Sequence, residues 1–121
     1  MKRGLLCVAL TLCACAGSVI DSDKPLTIEA QPIAPYEFLE QCADLGVGDR
    51  IDYRFESKAP VHFEIYYKDG ITFVATVTRD EVTQDAGIFR APIARRYCAR
   101  WEAGREGAVI DVRLRVFRAN A

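Results

Sequence analysis

The chain has 121 residues, enough for one domain and no more. Half of them are apolar and the formal net charge is −1, which excludes a disordered polyelectrolyte and a nucleic-acid binder with a broad basic excess. A single His leaves little material for a His-built metal centre or a catalytic triad.

The first residues read as an address. Lys2 and Arg3 form a positive head, and Gly4 to Ala14 follows as an apolar run. That run stops well short of the roughly 20 residues needed to span a bilayer and suits a secretory signal. Two cleavage readings compete. Ala14-Cys15-Ala16 fits the small-x-small rule of an ordinary signal peptidase. Leu12-Cys13-Ala14-Cys15 resembles the bacterial lipobox. That resemblance implies a signal peptide over 1–14 and a diacylglyceryl and palmitate anchor on Cys15. The mature chain then sits on the outer membrane, facing the periplasm. The alternative is a periplasmic or secreted protein cut after Ala16.

There are five cysteines: 7, 13, 15, 42 and 98. If the first two leave with the signal and Cys15 carries lipid, Cys42 and Cys98 are left to pair in an oxidising compartment or to stay as two buried thiols. From Cys15 onward, 14 basic residues stand against 17 acidic ones. Residues 15–89 carry a net charge of −8 and residues 90–121 a net charge of +5. Such a dipolar chain steers a charged partner, or else strands of opposite sign pair inside the domain; the second reading is preferred.

Residues 15–35 look like a tether in which Leu26–Ala30 pairs at an edge, with the compact domain over 36–121. Phe38–Leu45 reads as a strand or a helical turn. Period-two alternation then recurs: Ile51, Tyr53 and Phe55; Val61, Phe63, Ile65 and Tyr67; Ile71, Phe73, Ala75 and Val77; Ile110, Val112, Leu114 and Val116. Gly46/Gly48, Ala59-Pro60, Asp69-Gly70, Gly87, Pro92 and Gly104/Gly107 separate the runs. Short strands at this spacing predict an all-β fold, a small antiparallel sandwich. To keep Val61, Phe63 and Ile65 on one face with Ile71, Phe73 and Val77, the turn must be a three-residue loop, Lys68-Asp69-Gly70. This puts positive φ and a bulge at Gly70, and pairs Tyr67 with Ile71 and Ile65 with Phe73.

A family resemblance rests on six features. They are Cys42 on the opening strand, the Gly-Asp-x-Ile-x-Tyr-x-Phe strand from Gly48, and the Val-x-Phe-x-Ile strand leading from Val61 into Asp69-Gly70. Gly87 to Ala91, the Tyr-Cys-x-x-Trp strand from Tyr97, and the closing strand Val109 to Phe117 complete the set. Phe38 to Phe117 thus resembles a GOLD domain, the small β-sandwich of secretory-pathway cargo receptors. The resemblance implies a jelly-roll/GOLD-like sandwich with one disulfide, Cys42–Cys98, and a role in protein or lipid contacts without catalytic residues.

The sequence carries few chemical motifs. His62, on the polar face of a strand near Glu64 and Tyr66, is the one general-base candidate with an unperturbed pKa near neutral. Phosphate loops, dinucleotide fingerprints and zinc spacings are absent, so no cofactor or metal is expected. Asp80, Glu81 and Asp85 supply too few oxygens to specify Ca²⁺. Arg90, Arg95, Arg96, Arg100 and Arg105 either meet phosphate groups or line a solvated strand face. Trp101 is an aromatic anchor or a core residue. Tyr66 and Phe117 stand on otherwise polar faces, as interface aromatics do. The candidate binding surface is therefore Tyr66, Phe117, Trp101, Arg95, Arg96 and Arg100. The expected function is a non-catalytic envelope lipoprotein that binds another envelope protein, with no nucleic acid involved. A periplasmic module for carbohydrate or lipid headgroups is the alternative, and a small hydrolase centred on His62 is a distant third.

Overall fold

A computed structural model describes residues 18–20 and 24–120. Cys15 and the cleavage region lie outside the described residues. Seven strands form one sheet: β1 (Ser18–Ile20), β2 (Leu26–Ile33), β3 (Phe38–Leu45), β4 (Arg50–Asp69), β5 (Thr72–Arg90), β6 (Arg95–Ala103) and β7 (Ala108–Phe117). The order is β1-β3-β6-β4-β7-β2, with β5 alongside β4. All pairings are antiparallel except β1 with β3.

The long strand β4 explains how one sheet makes two layers. Its first half, Arg50–Ser57, pairs with β7, and its second half, Val61–Tyr67, pairs with β6. Tyr53 and Phe63 are ten residues apart, which a straight strand would separate by about 33 Å. Their rings lie 4.9 Å apart. β4 therefore folds back on itself between the two halves. Ala59-Pro60, expected to separate two strands, lies inside one strand at this bend, where the register against β5 also breaks between Glu56 and Val61. Proline, lacking an N–H, is tolerated at such an irregularity.

The facing halves close over an aromatic cluster. Phe63 touches Phe55 and Trp101 at centroid distances of 4.8 and 5.4 Å, and Trp101 is 0% exposed. The alternation read from the sequence holds where it was clearest: Ile51, Tyr53, Phe55, Val61, Phe63, Ile65, Ile110, Val112, Leu114 and Val116 are all buried. Phe38–Leu45 is a strand, its inward residues meeting those of β6. The sheet also takes in more of the segment before Tyr36 than expected. β2 runs to Ile33, which is buried in the core.

The β4–β5 turn corrects the expected register. Asp69 pairs with Thr72, leaving Gly70 and Ile71 as a two-residue loop. Gly70 does take positive φ, +66°, the type II′ arrangement with glycine first. The bulge lies further along: Ile65 pairs with Val77 and Tyr66 with Ala75, so Thr76 is the extra residue. Phe73 pairs with Lys68 and is half exposed. This register turns Phe73 to the outer face, against Tyr66, whereas Phe89 at the far end of β5 packs into the core on Tyr97.

Both ends of the sandwich are tied. At one end the Asp49 carboxylate accepts from the backbone N–H of Ala119 at 2.7 Å, from that of Gly46 at 2.8 Å, and from Arg118. These contacts hold its pKa below the ordinary carboxylate value, Ala119 acting most. At the other end Tyr36 N–H donates to Gly104 O. Gly107 has positive φ, and a Cβ there would meet Ile33 O at 2.8 Å, so only glycine fits.

Candidate functional site

The structure disperses the surface expected from the sequence. Trp101 projects into the interior and cannot serve as a ligand anchor. Tyr66 does stand on the outer face of its strand, yet it is buried. Phe73 stacks on it at 5.1 Å, and its hydroxyl donates to Glu40. Burial first, and then that bond, push its pKa up. Phe117 lies on the other layer, half-buried between the guanidinium groups of Arg50 and Arg115 at 4.1 and 4.7 Å. Trp101 and Tyr66 are thus corrected as exposed contact residues, because neighbouring side chains cover both.

The arginines of β6 are largely engaged. Arg96 forms a two-pronged ion pair with Asp44 at 2.7 and 3.0 Å. Arg100 lies over the Phe38 ring at 4.1 Å, and Arg95 over Tyr67 at 5.4 Å. Cys42 and Cys98 stand directly opposite on β3 and β6 and are bonded, with a Cα–Cα distance of 3.9 Å. Glu40 is close to both sulfurs, but the two sulfurs are spent on each other and leave no thiolate for a metal.

His62 opens onto a cleft of about 330 Å³ at the β4 bend, lined also by Asp80, Glu81, Glu102, Glu106 and Arg105. His62 Nδ1 lies 3.1 Å from Asp80, and its Nε2 lies 3.8 Å from Glu64. The cleft offers a proton acceptor held between carboxylates, in a lining without Ser, Thr, Cys or Lys. The three acids considered for Ca²⁺ diverge. Asp80 is with His62, and Glu81 has positive φ at an irregularity of β5. Asp85 accepts from the Tyr53 hydroxyl at 2.9 Å and pairs with Arg79 at 3.2 Å. Burial, and then Asp85, push the Tyr53 pKa up to about 12.

One cluster was missed. Register sets four rows across the outer face of β4 and β7: Arg50 beside Phe117, Asp52 beside Arg115, Arg54 beside Arg113, and Glu56 beside Asp111. Arg90 extends the first row and exposed Ile88 the second. Arg50 is fixed by Asp52 at 2.8 Å. Among the described residues the side chains of Arg54 and Arg113 have no hydrogen-bond or ion-pair partner. The expected pairing of strands of opposite sign therefore holds for Asp44 with Arg96 and fails for Arg54 with Arg113. The alternating arginines of each strand were visible in the sequence; their juxtaposition needed the pairing of β4 with β7.

No protein-family profile matches the chain, and no curated protein matches it. Among solved structures it is similar in fold to Aeromonas hydrophila PliG, a periplasmic lysozyme inhibitor of g-type lysozyme. The TM-score is 0.62 at 10% sequence identity, covering 84% of this chain and 96% of that one. At that identity the likeness shows a shared all-β fold.

Proposed function

We propose that the protein is a non-catalytic, exported module of the bacterial envelope that binds another protein, and that its partner is a lysozyme-type peptidoglycan hydrolase, which it inhibits. The observation that carries this reading is the likeness to PliG along nearly the whole length of both chains. The apparent export signal before Gly17 agrees with it. So does the disulfide, which suits an oxidising compartment. The lipobox-like segment adds an acyl anchor on Cys15 that holds the module at the outer membrane, facing the periplasm. The GOLD-like motif order implies the same class of work, contact with proteins.

The carbohydrate or lipid-headgroup alternative loses the aromatic groove it needs, since Trp101 and Tyr66 are both covered. The test is a turbidity assay of cell-wall lysis. The protein is titrated against purified g-type, c-type and i-type lysozymes. Saturating inhibition of at least one class near one equivalent supports the reading. Undiminished lysis by all three at tenfold excess removes it. Mass spectrometry of the protein isolated from the envelope tests the anchor: diacylglyceryl on Cys15 is expected, and a free N-terminus at Gly17 contradicts it.

A further inference from the structure

We propose that the outer face of β4 and β7 docks an acidic protein surface, with partner carboxylates seated on the Arg54–Arg113 pair. The inference rests on the protein-binding role and names the chemistry of its partner.

Like charges directly opposite on neighbouring strands destabilise a sheet, their Cβ atoms being about 5 Å apart. Arg54 and Arg113 are such a pair, and among the described residues neither is in an ion pair; the nearest acids, Glu56 and Asp111, stand one row along. A local rule broken without a direct ion pair to offset it points to function. The neighbouring rows fit a protein contact. Arg50 and Arg115 clasp Phe117, and Ile88 is 64% exposed beside them. Arginine and aromatic side chains dominate binding energy at protein interfaces. The guanidinium fork also matches a carboxylate through two bonds.

The next row decides between a protein and a membrane. Glu56 faces Asp111 one repeat along the strands, about 7 Å from the arginine pair. A uniformly anionic bilayer would be repelled there. A folded protein can set carboxylates against one row and a cation against the next. A hollow of about 180 Å³ lies at this boundary, lined by Arg54, Arg113, Glu56 and Asp111 above Phe55. On the other layer Arg96 is already matched by Asp44, and Arg100 stands between Glu40 and Glu64.

The test uses nuclear magnetic resonance of the ¹⁵N-labelled protein. The probe is a peptide of alternating Glu and Gly, and phosphatidylglycerol vesicles are titrated in parallel. Shifts should concentrate at residues 50–54 and 113–117 and weaken with added salt. Arg54→Glu gives Arg113 an internal partner. It should weaken peptide binding at least tenfold without lowering the thermal midpoint, whereas Arg95→Glu should bind as the wild type does. Arg113→Gln serves as a second variant should Arg54→Glu fold poorly. Equal binding by wild type and Arg54→Glu overturns the proposal. So do shifts centred on Arg95, Arg96 and Arg105, or tighter binding to the vesicles than to the peptide. Lysozyme inhibition is read separately. Localised peptide binding without inhibition removes the inhibitor role and keeps this surface; inhibition untouched by Arg54→Glu does the reverse.

Discussion

Trp101 shows why a residue type does not settle a role. Its position on β6 makes it face inward with Tyr97, Ala99 and Ala103, against Phe55 and Phe63 of β4. It holds the two halves of the bent strand together, and Trp101→Ala should cost about 3–5 kcal/mol in urea unfolding. A loss under 1 kcal/mol would mean that the ring is not packed there. Asp49 carries a different kind of stability. Its carboxyl is below its unfolded value of about 3.9. The folded state therefore binds fewer protons, and the contribution is full above about pH 4 and lost as pH falls through the folded value. Asp49→Asn should cost about 1–2 kcal/mol at pH 7, from the weakened bonds to Gly46, Ala119 and Arg118. The gap from wild type should narrow at pH 3, as paired denaturation curves would measure.

At the scale of elements, β4 and the disulfide define the architecture. β4 contributes one half to each layer, while Cys42–Cys98 fastens β3 to β6 within the second. The bond closes a sequence separation of 56 residues, for which chain entropy predicts about 4 kcal/mol. Replacing both cysteines by alanine should lower unfolding free energy by that order. Peptide mapping without reductant should find the two linked. The strands were legible because Ile51 to Phe55, Val61 to Ile65 and Ile110 to Val116 each bury one face, and period two reports that directly. The bend was not legible, because Ala59-Pro60 looks the same whether it ends a strand or kinks one. The hairpin register was not legible either, because the alternation of Ile71, Phe73 and Val77 looks the same facing in or out; the two-residue loop turns Phe73 outward onto Tyr66, half exposed. The arginine rows were out of reach altogether, since Arg54 and Arg113 meet only through the register of strands some sixty residues apart.

For the whole molecule, the two layers differ in how their outward charges are paired. Arg54 and Arg113 stand outside β4 and β7 without an ion pair, whereas Asp44 and Arg96 are matched outside β3 and β6. The acidic and basic halves of the chain are thus only partly neutralised by strand pairing, and the remainder is available to steer an encounter. Association carried by that face should slow as ionic strength rises from 0.05 to 0.3 M, because the screening length shortens. The most direct measurement is calorimetric titration of the purified protein into g-type, c-type and i-type lysozymes in turn, at low salt and again at 0.3 M. The proposed inhibitor role predicts a saturable heat at one-to-one stoichiometry, weaker at the higher salt and accompanied by loss of lytic activity. Featureless heats of dilution with all three, and lysis unaffected, would contradict it.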